Sequence, residues 1–284
     1  MDDAGSTVDG GRRDGAVLVL RLGYDGTDFS GFAAQRPESH VRTVAGELEV
    51  ALRTLLRRDV DITCAGRTDA GVHARSQYVS VPVTERECDW LGRQQGARRL
   101  LRSLNAVLPD DVVVSQVLRG APGFSARFDA QSRTYRYRIS RGEAPPLFCA
   151  RWAWWQRAQE PLDVDAMRVA ARLLVGEHDF RSFCKTSSAE GKPTGRFVRS
   201  ITIGAEEQLG EGLLTVEVVG NAFLHNMIRI MVGTLMEVGV RRRDPSWVGQ
   251  VLEARDRTRA GGTAPACGLT FWDVSYPDGA LGSW

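Results

Sequence analysis

The sequence contains few cysteines and shows no pattern that would use them. Five cysteines are scattered through 284 residues without a C-x-x-C spacing, which argues against a zinc site and a disulfide framework. The four histidines are equally dispersed. No uninterrupted apolar run is long enough to cross a bilayer, and the N-terminus lacks the apolar segment of a signal peptide. We therefore expect a cytoplasmic protein with no metal site and no membrane segment.

Lysine is also nearly absent. It occurs only at Lys185 and Lys192, so arginine supplies almost all of the positive charge. Arginine binds phosphate through a planar fork and stacks on bases, which favours an RNA-binding surface. A biased genomic base composition would explain the same preference equally well. The net charge of +2 does not distinguish the two explanations.

Strand patterns and amphipathic helix patterns recur on both sides of a glycine–proline break at residues 120–123. No glycine fingerprint follows a strand, which argues against a Rossmann layout. We predict an α+β protein with two lobes, each with a mostly antiparallel sheet flanked by helices. The predicted divisions are a disordered tail (1–16), an N-terminal lobe (17–122) and a C-terminal lobe (123–284).

The segment Ala65–Ala74, AGRTDAGVHA, places the carboxylate of Asp69 between glycines. Strand-like patterns precede and follow it, so Asp69 is predicted on a short connection between two rigid elements, where catalytic groups are often mounted. A lone aspartate near glycine is more often a turn residue that bonds its own backbone. Two other parts of the chain favour the catalytic interpretation.

The first of these is the region Asn221–Val240, which predicts a helix that is apolar nearly all round and therefore buried. Arg229 lies in its middle. A buried guanidinium without a partner is costly, so this helix needs a carboxylate facing it, and Asp69 is the candidate. An ordinary buried ion pair, or an arginine whose charge reaches the surface, would fit the same pattern.

The second is the strand-like segment Arg133–Arg138, in which arginine alternates with tyrosine. Tyr135 shares one face of this strand with Arg133 and Tyr137. Such a face suits RNA, because a ring stacks on a base while arginines meet phosphates. The strand alone favours a different arrangement, with a tyrosine face in the core and a solvated basic face.

Four segments resemble, in order and spacing, those of the bacterial tRNA pseudouridine synthase A family: Ala65–Ala74, Phe124–Tyr137, Asn221–Gly239 and Gly268–Pro277. The resemblance implies a pseudouridine synthase fold with a central RNA-binding cleft. It also implies a homodimer that holds tRNA across both subunits, with no metal and no organic cofactor. The implied substrate is uridine at positions 38, 39 and 40 in the anticodon arm of tRNA.

The resemblance further implies roles for four residues. Asp69 matches the catalytic aspartate, acting either as a nucleophile or as the base that removes a sugar proton. Arg229 matches the basic residue that pairs with this aspartate. Tyr135 matches the residue that stacks on the target base, and Arg67 matches the arginine that helps to hold this base outside the stack.

The sequence departs from the family pattern at Phe32 and at Phe271–Trp272, and no role is carried over to these positions. Two other functions fit parts of the sequence. A tRNA-binding or chaperone protein without catalysis would use the same arginines, but it would need neither Asp69 nor the buried charge of Arg229. A glycoside hydrolase usually needs a second carboxylate, and none stands out beside Asp69. The synthase is therefore the favoured prediction.

Overall fold

The computed structural model describes residues 15–34, 41–157 and 160–284. The predicted tail, residues 1–16, lies outside this part of the chain except for Gly15 and Ala16. The strands are β1 (Val17–Tyr24), β2 (Thr63–Cys64), β3 (His73–Pro82), β4 (Val112–Gly120), β5 (Ser132–Ser140), β6 (Trp154–Trp155), β7 (Gly176–Asp179), β8 (Gly195–Gln208), β9 (Glu211–Gly220), β10 (Leu269–Ser275) and β11 (Leu281–Gly282). The α-helices are α1 (Val44–Leu56), α2 (Glu85–Gly92), α3 (Gly96–Val107), α4 (Val164–Arg172), α5 (Thr186–Ala189), α6 (Met227–Gly239) and α7 (Trp247–Ala254).

These strands form one sheet in the order β11-β4-β1-β3-β10-β5-β9-β8-β7, with β2 beside β3 and β6 beside β5. Strands β1 to β4 pair antiparallel with one another, and so do β5, β7, β8, β9 and β10. The two groups meet where β10 runs parallel to β3. The α+β class and the mostly antiparallel pairing are thus confirmed, and the two groups of strands are joined edge to edge.

The division into lobes at residues 122 and 123 stays a prediction. Both closing strands of the chain reach back across it, because β10 pairs with β3 and β11 pairs with β4. Helix α3 packs on β4 in the first group, whereas α4 packs on β8 and α6 in the second. Leu20 of β1, Leu48 of α1 and Leu104 of α3 are buried in the same core as Met167 of α4 and Met231 of α6.

A capping side chain marks the start of three of the described α-helices, α1, α2 and α4. Helix α1 begins where the Thr43 hydroxyl accepts a hydrogen bond from the backbone N–H of Gly46, and it ends at Arg57 in a left-handed conformation. The sequence predicts one helix over about residues 90–105, but the structure has two helices there, α2 and α3. The break lies at Gln95, whose φ of 69° cannot continue a helix.

Candidate active site

Asp69 lies on the connection between β2 and β3, as the sequence predicts. The backbone holds this connection in place, because the N–H of Val72 donates to the carbonyl of Asp69 and the N–H of Phe32 donates to that of Thr68, both at 3.1 Å. The hydroxyls of Tyr24 and Thr68 are 2.7 Å apart. Gly71 has a φ of +76°, which glycine adopts without strain. Asp69 therefore projects from a fixed turn, and its side chain is one-third exposed.

The structure brings Arg229 to Asp69. Its Nη1 lies 4.0 Å from Oδ2 of Asp69, at the outer limit of an ion pair. The guanidinium is fixed by two other bonds, since Nε donates to the carbonyl of Ala264 at 2.7 Å and Nη1 donates to Oδ1 of Asn226 at 2.9 Å. Arg229 is thus a mostly buried cation, held in place by its neighbours, that faces the carboxylate across a short gap.

A histidine that the sequence analysis did not single out lies closer to the same carboxylate. Nε2 of His225 is 3.3 Å from Oδ1 of Asp69, and its Nδ1 is 3.0 Å from the hydroxyl of Ser188. One signal was present in the sequence, because His225 precedes Arg229 by four residues. That spacing would place both side chains on one face of a helix, towards the same partner.

His225 is not in the helix, however. Helix α6 begins at Met227 rather than at 221, because Asn226 has a φ of 63°. The predicted helix was therefore wrong for residues 221–226. The side chains of Phe223 and Leu224 give this stretch a helical apolar pattern, but Phe223 packs instead against Tyr135, with ring centroids 5.2 Å apart.

Tyr135 forms part of the cleft wall and is 8% exposed. Its ring packs against both Phe223 and Phe271, the latter at a centroid distance of 4.9 Å. Phe271, one of the departures from the family pattern, thus supports the tyrosine. Burial raises the pKa of the Tyr135 phenol well above its usual value, and the nearby charge of Asp69 adds to this effect. The phenol is therefore protonated at neutral pH.

Asp69 and Tyr135 line one cleft of about 670 Å³, together with residues 222–228. Four arginines also line it: Arg67, Arg127, Arg133 and Arg196. Arg133 donates to the backbone carbonyls of Ala65, Asn221 and Arg127, so it fixes the cleft wall. Arg67 and Arg127 are exposed, which leaves their guanidinium groups open to a ligand in the cleft.

The arginines on the other face of β5 form a structural network. Arg136 bonds Glu217 at 2.8 Å, and Nε of the buried Arg138 lies 3.5 Å from Glu206. Both guanidinium groups lie over the ring of Trp272, at 3.9 and 4.8 Å from its centroid. The alternative left open in the sequence is therefore correct for the tyrosine face, which is buried, but wrong for the basic face, which is not solvated: Arg138 is buried and both arginines are paired.

All five cysteines are free thiols. Among the residues that the structure describes, no group of three or more histidine, cysteine or acidic side chains is placed to hold a metal ion. No helix within residues 15–34, 41–157 and 160–284 combines the length and apolarity needed to cross a membrane.

Comparison with known proteins gives one consistent result. The tRNA pseudouridine synthase family matches residues 22–111 and 170–277, ranges that contain Arg67, Asp69 and Arg229 and that flank Tyr135. The tRNA pseudouridine synthase A of Moorella thermoacetica is 42% identical, over 91% of this chain and 99% of that protein. The protein of the same name from Brevibacillus brevis is 43% identical over 90% and 97%, and that from Streptomyces griseus is 42% identical over 92% and 88%.

Proposed function

This chain belongs to the tRNA pseudouridine synthase family, and from that premise we propose that Asp69 carries the reaction, on uridines 38, 39 and 40 of the tRNA anticodon arm. The protein is an isomerase that converts uridine in tRNA into pseudouridine. The observation that supports the proposed site is that Asp69 lines the same cleft as Tyr135 and has the cation of Arg229 4.0 Å from its carboxylate.

The reaction rearranges one nucleotide without gain or loss of atoms. The N1–C1′ bond breaks, the freed base turns, C5 forms a bond to C1′, C5 loses its proton and N1 gains one. This sequence needs a carboxylate close to the sugar and no electron transfer. Asp69 acts either as the nucleophile or as the base that removes a sugar proton, and the positive charge of Arg229 faces it at 4.0 Å.

The other two residues act on the base. The target uridine must leave its stack to reach Asp69, which costs a few kcal/mol. Arg67, exposed beside Asp69, is suited to hold the base outside the stack. Tyr135 offers a ring on which the detached base stacks, and its neighbours Phe223 and Phe271 fix the plane of that ring.

Tritium release from tRNA that carries 5-tritiated uridine tests this proposal, because C5 loses its hydrogen during the isomerisation. We expect release with the wild-type protein. In Asp69→Ala and Asp69→Asn we expect a fall on the order of 10³-fold or more, with tRNA binding retained. Asp59→Ala is the matched control, because the Asp59 side chain is 93% exposed and its ion pair is with Arg53, whose side chain is also exposed.

Tritium release by an Asp69 variant at the wild-type rate would overturn the proposed role of this residue. Binding of tRNA without release by the wild-type protein would instead favour the non-catalytic tRNA-binding alternative. The proposed target positions 38, 39 and 40 are tested separately, by mapping pseudouridine in tRNA that has been treated with the wild-type protein. Modification outside the anticodon arm would contradict the proposed substrate while leaving Asp69 in place.

We also propose, on the family resemblance, that the chain works as a homodimer in the cytoplasm. Free cysteines agree with a reducing compartment. Sedimentation equilibrium should give twice the chain mass of 31.2 kDa, and a single-chain mass would contradict the dimer.

A further inference from the structure

Two side chains face the carboxylate of Asp69, one towards each oxygen. Arg229 lies 4.0 Å from Oδ2, with its Nε and Nη1 already bonded to Ala264 and Asn226. His225 lies nearer, with Nε2 3.3 Å from Oδ1. Because the imidazole, at 3.3 Å, is nearer than the guanidinium, at 4.0 Å, whose Nε and Nη1 are bonded to other groups, it is the group best placed to fix the rotation of this carboxylate about its Cβ–Cγ bond.

His225 is itself held from the far side. Its Nδ1 lies 3.0 Å from the hydroxyl of Ser188 on α5, and its backbone carbonyl accepts a hydrogen bond from the N–H of Lys185 at 3.2 Å. The left-handed conformation of Asn226 then turns the chain into α6. Both the ring and the backbone of His225 are thus bound to residues 185–188, and the ring spans the distance from this segment to Asp69.

We propose that His225 is a positioning residue that orients the Asp69 carboxylate for reaction, an inference that rests on the proposed catalytic role of Asp69. The imidazole Nε2–H donates to Oδ1 of Asp69, which leaves Oδ2 directed towards Arg229 and the reacting nucleotide. Catalytic groups must be held within about 0.5 Å of their productive geometry, and this donor provides such a constraint.

The arrangement works in both charge states of the ring. In the neutral ring, Nδ1 accepts the hydroxyl hydrogen of Ser188 while Nε2–H donates to Asp69. In the protonated ring, Nδ1–H donates to the Ser188 oxygen and Nε2–H still donates to Asp69. Ser188 is therefore the residue that selects the useful tautomer of His225, at one remove from the carboxylate.

The test is steady-state tritium release by His225→Ala and His225→Gln. The alanine variant loses the donor, so kcat should fall about 10- to 100-fold, the loss expected for a hydrogen bond to a charged group. The KM for tRNA should change less than about twofold, since RNA binding is not the function removed. The glutamine side chain offers an amide N–H at a similar reach, so His225→Gln should recover most of the lost kcat.

Ser188→Ala is the second variant and should lower kcat by a smaller factor, because the ring remains but its tautomer is no longer selected. Ser187→Ala is its matched control, since Ser187 is an exposed serine on the same short helix. Thermal unfolding of each variant shows whether it is folded. If His225→Ala does not fold, the kcat values of His225→Gln and Ser188→Ala are compared with that of the wild type. A kcat for Ser188→Ala equal to that of the wild type would then contradict the inference.

Two results would overturn the inference. One is an unchanged kcat in His225→Ala, whether or not KM rises, and the other is a folded His225→Gln variant whose kcat is as low as that of His225→Ala. A raised KM alone would make His225 a contact for RNA. These outcomes differ from failure of the proposed function, which appears as activity retained in Asp69→Ala. An inactive Asp69→Ala together with a fully active His225→Ala would reject only the positioning role.

Discussion

His73 ends the turn that carries Asp69, and its buried ring holds this turn to the end of β1. Its Nδ1 accepts a hydrogen bond from the N–H of Gly26 at 3.0 Å, and the carboxylate of Asp25 lies 3.2 Å away. The surroundings of this ring act on its pKa in opposite directions. Asp25 favours the protonated ring, but burial is the larger effect and lowers the pKa of His73 below its usual value.

A pH dependence of stability follows from this residue. Because folded His73 binds a proton less readily than unfolded His73, its contribution is complete above the unfolded pKa of about 6.5 and is lost as the pH falls below it. His73→Asn keeps an acceptor for the Gly26 N–H but does not titrate. Urea unfolding at pH 7.5 and 5.5 should therefore show a greater loss of stability in the wild type than in this variant. An equal loss in both proteins would contradict the prediction.

Asp69 and Arg229 could be predicted because each stands in a distinctive local pattern, whereas the predictions for Tyr135 and Arg67 depended on the family resemblance. The structure brings Asp69 and Arg229 within 4.0 Å and places Arg67 and Tyr135 in the same cleft as Asp69. Their catalytic and binding roles stay predictions. His225 could not be selected in the same way, because its contact with Asp69 depends on the unexpected turn at Asn226 and on residues 185–188.

At the scale of elements, α6 is fixed by its close packing against residues 261–264. The N–H of Gly261 donates to the Thr234 hydroxyl, and the N–H of Ala264 donates to the carbonyl of Arg229. Gly233 permits this approach, because a Cβ there would overlap the carbonyl oxygen of Gly262. The same segment supplies the Ala264 carbonyl that holds the Arg229 guanidinium, so the packing of α6 also positions a charge at the site.

Gly233→Ala should therefore lower both stability and activity. The added methyl group must displace backbone rather than a flexible side chain, so we expect a loss of at least about 1–3 kcal/mol in the free energy of unfolding. Gly249→Ala in α7 is the matched control. Its Cβ would lie 3.6 Å from the Leu173 side chain, an ordinary contact, so the variant should gain up to about 1 kcal/mol from helix propensity. Denaturant unfolding and tritium release measure the two effects, and equal stability changes in the two variants would contradict this account.

Element boundaries were predictable where local chemistry sets them. The sequence predicts a strand over residues 269–275, and β10 has these bounds. It also predicts an amphipathic helix over residues 43–57, and α1 agrees with this range to within one residue at each end. The helices predicted over 90–105 and 221–240 were wrong because Gln95 and Asn226 adopt left-handed conformations. This conformation is uncommon for glutamine, and asparagine adopts it more often but still in a minority of cases, so the sequence does not show where it occurs. The parallel contact of β3 with β10 joins residues almost 200 positions apart, and no local pattern encodes it.

At the scale of the whole molecule, the sheet brings both groups of strands to one cleft. The loop before β3 supplies Asp69 and Arg67, whereas β5 supplies Tyr135, and β10 lies between these two strands. The net charge of +2 conceals how the positive charge is distributed. Arg136 and Arg138 are paired with Glu217 and Glu206 behind the sheet, while the arginines at positions 67 and 127 are exposed at the cleft.

Binding of tRNA should therefore depend on salt through a small number of cleft arginines. Each phosphate contact releases bound cations, so the loss of one contact lowers the slope of log K against log salt concentration by about 0.7–0.9. We expect Arg127→Ala to reduce the slope by this amount and to weaken binding at low salt, without a change in fold. Arg99→Ala on the exposed face of α3 is the control and should leave the slope unchanged. Equal slopes for Arg127→Ala and wild type would contradict the prediction. Salt screens charges over about 10 Å, so an unchanged slope would mean that no RNA phosphate lies near Arg127.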